Sequence, residues 1–320
     1  MPALSKASDI AVSAWSSQSH KILLYGQSDD GMIHEYKYDD GTWTHLGHVA
    51  KARPATPIAV TSNRKDWPQL IDTVQIRVFF LDEHRRVVQA ANKGSSWELK
   101  VWPVTLHAAS RLAARNDGDK GYRAFGQAEN GDLIEMTRNK TSFSWKVISK
   151  RAVPGTCIAV PQNGLNRLYF SQVPQKYENK DLFDMFPGLK NDICVKAAKS
   201  VTDWVTNLIP AQQPDMELVA YKSDGPGSPW TSTTLATAKP NMQIAATDCE
   251  PGLDLLYTNH GKVYELRKDG FKADISDGPV AIVNRGGNKV AAFWHDAEDP
   301  TKIDWAEGTP GSLHSRRAFN

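Results

Sequence analysis

Three cysteines in 320 residues, Cys157, Cys194 and Cys249, are too few and odd in number for a fully paired disulfide framework. One bridge with a free thiol stays open beside three buried thiols, and three thiols are the expectation. Their spacing fits no zinc motif. No apolar run is long enough to span a bilayer. The first residues, Met1 to Lys6, carry no apolar h-region, so no signal peptide is expected there and the compartment is left open. The net charge is only +2 and no dense Lys/Arg block occurs, which argues against nucleic acid as a partner. Gly-x-Ser-x-Gly, the P-loop and a dinucleotide fingerprint are all missing. There is no His-x-x-x-His pair, and the nine histidines are scattered. Asp117-Gly118-Asp119 lacks the further ligands of a calcium loop and reads as a solvated turn. No metal and no cofactor is therefore expected.

What is present is a repeat. A short apolar strand recurs as Ile10-Ala11-Val12, Ile58-Ala59-Val60, Leu112-Ala113-Ala114, Ile158-Ala159-Val160, Ile244-Ala245-Ala246 and Val280-Ala281-Ile282. A second strand follows each, as in Ile22 to Gln27, Ile76 to Leu81 and Tyr122 to Gln127. Hairpin turns such as Asp30-Gly31 and Asn130-Gly131 lead to a third strand, and Trp43, Trp97, Trp145 and Trp230 open a fourth, read as outer packing. Four short strands in a unit repeated six times predict an all-β, six-bladed β-propeller over 1–320, folded as a single domain. Alanine fits the inner strands because strands crowd near the axis. A two-sheet sandwich would not repeat the same four-strand unit with alanine in the same place.

Blade four breaks the pattern. Between its second strand, near Arg167, and the next candidate strand at Met216 lies an insert of about 174–214. Ile193, Ala197, Val201, Trp204, Val205 and Leu208 fall at helical spacing before Pro210, so a helical insertion is expected there, making the propeller asymmetric.

The units resemble the fungal fucose-specific lectins. Blade three carries Arg123-Ala124-Phe125-Gly126-Gln127, Asn130 to Glu135 and Trp145; blade four opens with Val153-Pro154-Gly155-Thr156-Cys157-Ile158-Ala159. The resemblance implies a propeller whose sugar sites lie between blades. There an Arg and a Glu or Gln bind the hydroxyls and a ring packs on the apolar face. Carried over, the ligand pairs are Arg77 with Gln89, Arg123 with Glu135 and Arg167 with Glu217. In blade one the arginine position falls on Leu23, although Glu35 is present; in blade five it falls on Leu255, with Glu265 present. Blade six offers Val290 or Ala291 and no acid.

Two functions follow. The resemblance also extends to lopsided propellers of fungal secondary metabolism, the hetero-Diels–Alderases. Arginines lost from some blades, unequal blades and spare aromatics favour a cofactor-free cyclase of that kind. It would hold an apolar or aromatic precursor in one pocket and promote dehydration and cycloaddition by proximity, with a positioned acid or donor. Arg123, Tyr122 and His295 are then the catalytic candidates, with Arg77, Trp15 and Trp294 lining the pocket. The alternative is a fucose-binding lectin with two or three surviving sites, whose partner is a fucosylated glycan. A propeller that only binds proteins is a third reading. Oligomeric state is not read from the sequence.

Overall fold

Alternation of side chains along a strand lets one β-sheet bury both faces, and this chain uses it throughout. In the second strand of blade one, Ile22 and Leu24 point to one neighbour while Leu23 and Tyr25 point to the other; all four are buried. A stack of sheets with two apolar faces can close only as a ring, because any end sheet would leave one face in water.

The computed structural model describes residues 3–14, 21–39, 41–62, 76–92, 96–117, 121–139, 142–150, 152–161, 167–172, 216–222, 231–238, 242–249, 252–259, 262–265, 272–274, 279–286, 289–296, 298–309 and 312–319. They form six four-stranded antiparallel sheets, each built from consecutive strands. Blade one comprises Ile10–Ala14, Ile22–Gln27, Met32–Asp39 and Thr42–Lys51, and blade two Ala59–Ser62, Ile76–Leu81, Arg86–Asn92 and Trp97–Thr105. Blade three is Ala113–Asn116, Tyr122–Gln127, Leu133–Arg138 and Phe143–Ser149. Blade four is Ile158–Ala159, Arg167–Gln172, Met216–Lys222 and Thr231–Ala238. Blade five is Ile244–Cys249, Gly252–Asn259, Lys262–Glu265 and Lys272–Asp274; blade six is Val280–Gly286, Lys289–His295, Ile303–Thr309 and Ser312–Phe319. The expected insert of blade four lies outside the described residues. Among the described residues every regular element is a strand.

Six apolar clusters join each blade to the next. Leu23 and Tyr25 meet Val78 and Phe80; Phe79 and Trp102 meet Leu112 and Ala124; Phe125 and Leu133 meet Ile158 and Phe170. Tyr169 and Leu218 then meet Ile244, Leu256 meets Trp294, and Phe293 with Trp305 returns to Ile10 and Tyr36. The ring of a six-bladed propeller is thereby closed.

Beside the apolar faces runs a polar staple that composition does not reveal. Two residues before the inner alanine-containing strand of four blades stands a buried hydroxyl: Ser8, Thr56, Ser110 or Thr156. Each accepts from a backbone N–H at the end of the second strand, Gln27 at 2.6 Å, Leu81 at 2.8 Å, Gln127 at 2.8 Å and Ser171 at 2.8 Å. Gln127 then bridges blades, donating to the carbonyls of Gly131 and Val153 at 3.1 Å each. Gly26 is required beside this staple, since a Cβ there would come within 2.7 Å of the Leu4 side chain. One such buried, satisfied hydroxyl contributes about 1 kcal/mol.

Candidate functional site

The register of each blade defines equivalent positions. The alanine in second place on the inner strand pairs with Tyr25 in blade one, Phe79 in blade two, Phe125 in blade three, Tyr169 in blade four, Leu256 in blade five and Phe293 in blade six. Two residues before that partner, on the same face of the sheet, come Leu23, Arg77, Arg123, Arg167, Asp254 and Ala291. Across on the third strand the alanine partners Tyr25, Phe79, Phe125, Tyr169, Leu256 and Phe293 pair with Glu35, Gln89, Glu135, Ala220, Glu265 and Trp305, which are diagonal neighbours of the six residues just named.

This frame corrects two assignments from sequence. In blade four the position matching Glu135 is Ala220. Glu217 lies three residues earlier, opposite Gln172, whose amide Nε2 donates to it at 3.4 Å. In blade five the arginine position is Asp254, not Leu255, which is displaced by one and so belongs to the opposite face. At these register positions blades two and three therefore combine an arginine with an acid or amide at the diagonal position of the third strand.

The two combinations differ in what surrounds the guanidinium. In blade three Arg123 is fully buried, at 1% exposure. Its Nε and a terminal nitrogen grip the Asp117 carboxylate, the latter at 2.9 Å, and the other terminal nitrogen faces Glu135 at 3.4 Å. Arg115 adds a contact to Asp117 at 2.8 Å, and Lys146 reaches Glu135 at 3.3 Å. The result is a five-charge network of three cations around two carboxylates, buried except at Lys146. Asp117 is thus not the solvated turn residue that its Asp-Gly-Asp setting suggests, its side chain being 9% exposed. The alternation of Arg115, Asp117 and Arg123 across one hairpin was the available signal, because burial at that edge demands a counter-ion.

In blade two Arg77 stays partly exposed. Its Cζ lies 4.1 Å from the centre of the Tyr122 ring, contributed by blade three, a cation–π contact between neighbouring blades. Gln89 is buried and its Oε1 accepts from Trp102 Nε1 at 3.0 Å, and Trp102 packs edge-on to Phe79. Tyr122 and Arg77 were separate candidates from sequence; the fold makes them one unit.

Blade one has the acid without the arginine. Tyr25 Oη donates to Glu35 Oε1 at 2.7 Å, both groups buried. Burial raises the Glu35 carboxyl above its ordinary value, and burial together with Glu35 raises the Tyr25 phenol.

The other sequence candidates do not join these groups. Trp294 is 2% exposed inside the core between blades five and six. His295 is buried and lies between two backbone carbonyls, those of Pro300 and Ser8, with its pKa lowered by burial. Trp15 and the side chain of Arg167 lie outside the described residues. Trp145, read as outer packing, is 54% exposed.

At the opposite end of the inner strands a separate polar group surrounds the axis. Asp9 accepts from the backbone N–H of Ile10 at 3.1 Å and of Ile58 at 3.2 Å, and Arg111 stands 3.9 Å from it. Cys157, a free buried thiol, bonds Gln243 at 2.5 Å, and burial pushes it up to about 11. It is a neutral thiol at physiological pH, not a nucleophile. Cys194 and the side chain of Cys249 lie outside the described residues. Among the described residues no helix is long and apolar enough to cross a membrane.

Comparison with known proteins follows the same lines. A fucose-specific lectin of Aspergillus oryzae is 23% identical over 340 residues, covering 96% of this chain and 94% of that protein. The lectin of Aleuria aurantia, solved as a six-bladed propeller and also as a variant in complex with α-methyl-L-fucoside, superposes with a TM-score of 0.69 at 16% identity, covering 98% of this chain and 96% of that one. AofleA from Arthrobotrys oligospora gives a TM-score of 0.66 at 14% identity, with 98% and 87% covered. The family described as fungal fucose-specific lectin matches residues 3–171, just over half of the 320 residues, and the chain belongs to that family.

Proposed function

We propose that this chain is a fucoside-binding lectin of low valency, and that its principal sugar site lies between blades two and three at Arg77 and Gln89. The observation that carries the reading is the contrast at one register position. Within a fungal fucose-specific lectin fold, Arg77 is the guanidinium that keeps exposed surface beside a Gln89 amide, whereas Arg123 is saturated by Asp117 and Glu135. A guanidinium restrained by the Tyr122 ring can offer N–H groups to vicinal hydroxyls with little loss of side-chain freedom. Blade three is then a second site that Asp117 occupies internally.

The cyclisation reading loses its support in the geometry. Second strands of all blades run the same way between the two ends of the ring. Tyr122 and Arg123 start one such strand, while His295 ends another, so they stand at opposite ends. Arg123 and His295 each have their hydrogen-bonding capacity directed at protein groups. A single pocket would need these groups together.

Titration calorimetry with methyl α-L-fucoside tests the proposal. Wild type is expected to bind in the micromolar to millimolar range of a small polar ligand with few contacts. Arg77→Ala is expected to lose that binding, and Lys146→Ala, on the exposed side of blade three, to retain it. Undiminished binding by Arg77→Ala would move the site elsewhere. Absence of binding by the folded wild type would end the lectin reading.

A further inference from the structure

Blade one carries a histidine pair that the sugar site does not use. His34 lies on the third strand and His45 and His48 on the outer strand, with His34 opposite His48 and Tyr36 opposite His45. The register shifts between Glu35 and Tyr36, so that Leu46 is the extra residue of a bulge. Gly47 within it has φ +132°, a conformation that suits glycine. The bulge brings the His45 ring diagonally to His34. His34 Nδ1 and His45 Nε2 are 3.0 Å apart, with ring centres 5.1 Å apart and planes at 50°.

The proton positions follow from the neighbours. Ser28 Oγ lies 2.5 Å from Asp30 Oδ1 and 2.9 Å from His34 Nε2. A hydroxyl has one proton; given to the carboxylate, it leaves Oγ to accept from His34 Nε2–H. The Ser28 hydrogen bond, with the Met32 N–H, lowers the Asp30 pKa and so favours the ionised acceptor that this arrangement requires. His34 is buried, and its two ring nitrogens face Ser28 Oγ and His45 Nε2. In that tautomer His34 Nδ1 presents a lone pair towards His45.

We propose that His34 Nδ1 and His45 Nε2 form a two-histidine chelate for a borderline divalent transition ion, of which Zn²⁺ is the representative. Two nitrogens on a tetrahedral zinc lie about 3.3 Å apart, given bonds of about 2.0–2.1 Å, so the observed pair needs to open by a few tenths of an ångström and the two rings to turn until their lone pairs converge on the ion. His45 is only partly buried and can supply that movement. On binding, the proton of His45 Nε2 is lost to solvent and Nδ1 of the same ring takes one up, so the ring stays neutral and both ligand nitrogens carry lone pairs. Among the described residues no three His, Cys, Asp or Glu side chains are grouped to hold a metal ion, so the remaining positions on the ion belong to water. Asp30 and Ser28 act as positioning residues behind His34, fixing its tautomer as outer-shell partners of metal-bound histidines do.

Calorimetric titration of the full chain with ZnCl₂, in a buffer that does not bind zinc, tests this. One equivalent should bind, His45→Ala and His34→Gln should each abolish that event, and Ser28→Ala should weaken it about tenfold. His48→Ala, changing an exposed neighbour, should leave the affinity within about twofold of wild type. Thermal unfolding of each variant without metal verifies that it is folded. Unchanged binding in folded His45→Ala, loss of binding in His48→Ala instead, or no saturable binding in wild type would overturn the assignment.

Discussion

Blades two and three place an arginine at the same register position, yet one guanidinium is partly exposed and the other fully buried. Arg77 faces a tyrosine ring; Arg123 faces Asp117 and Glu135. Blade one shows a third solution, where Leu23 replaces the arginine and the facing Glu35 is satisfied by Tyr25. A repeat fixes where a side chain points, and the neighbouring hairpin decides whether its hydrogen bonds are already spent on protein. A motif that is complete in sequence can therefore be closed in the fold.

The largest effect expected from this comparison concerns Asp117. Asp117→Ala removes the carboxylate shared by the buried Arg115 and Arg123, and urea unfolding should record a loss of about 3 kcal/mol or more. A loss within experimental error of zero would mean that the network is well solvated and that blade three is as open as blade two.

A smaller loss is expected in blade one. Tyr25→Phe removes the one hydroxyl bond made to the buried Glu35 carboxylate and should cost about 1–3 kcal/mol by the same measurement. If Glu35 finds another donor, the variant will match wild type, and the blade-one acid is then adaptable rather than fixed.

The smallest effect is a pH dependence. Burial raises the Glu35 carboxyl above its ordinary value of 4.5. Between the two values the folded chain holds the proton and the unfolded chain has released it. The stabilising contribution is thus full below the ordinary value and is lost as pH rises through the raised one. Glu35→Gln cannot ionise, so wild type should lose stability relative to this variant as pH rises from the ordinary value through the raised one, with a slope never above about 1.4 kcal/mol per pH unit. Parallel pH profiles would show that Glu35 titrates alike in the folded and unfolded chains.

Much of the architecture was legible because it rests on short-range periodicity. Ile-Ala-Val strands followed by a hairpin give two-residue alternation, and six such units in phase admit a ring. The candidate pairs Arg77 with Gln89 and Arg123 with Glu135 were legible for the same reason, since hairpins without an insert preserve spacing. Where spacing was broken, the reading slipped: Glu217 is three residues from the matching position, and Leu255 is one from Asp254. A slip of one reverses the face of the sheet, and no local propensity reports it.

By itself, then, the sequence determined a six-fold repeat of four strands and, in blades one to three, the residue types at the two register positions, because both depend on neighbours along the chain. Only the tertiary structure decided which of those polar positions are filled from within. Asp117 reaches Arg123 across a hairpin, Tyr122 crosses from blade three to Arg77, and His45 reaches His34 over a bulge. Each depends on distances between separate strands, and on the burial that makes an unpartnered charge costly, neither of which is a property of residue order alone.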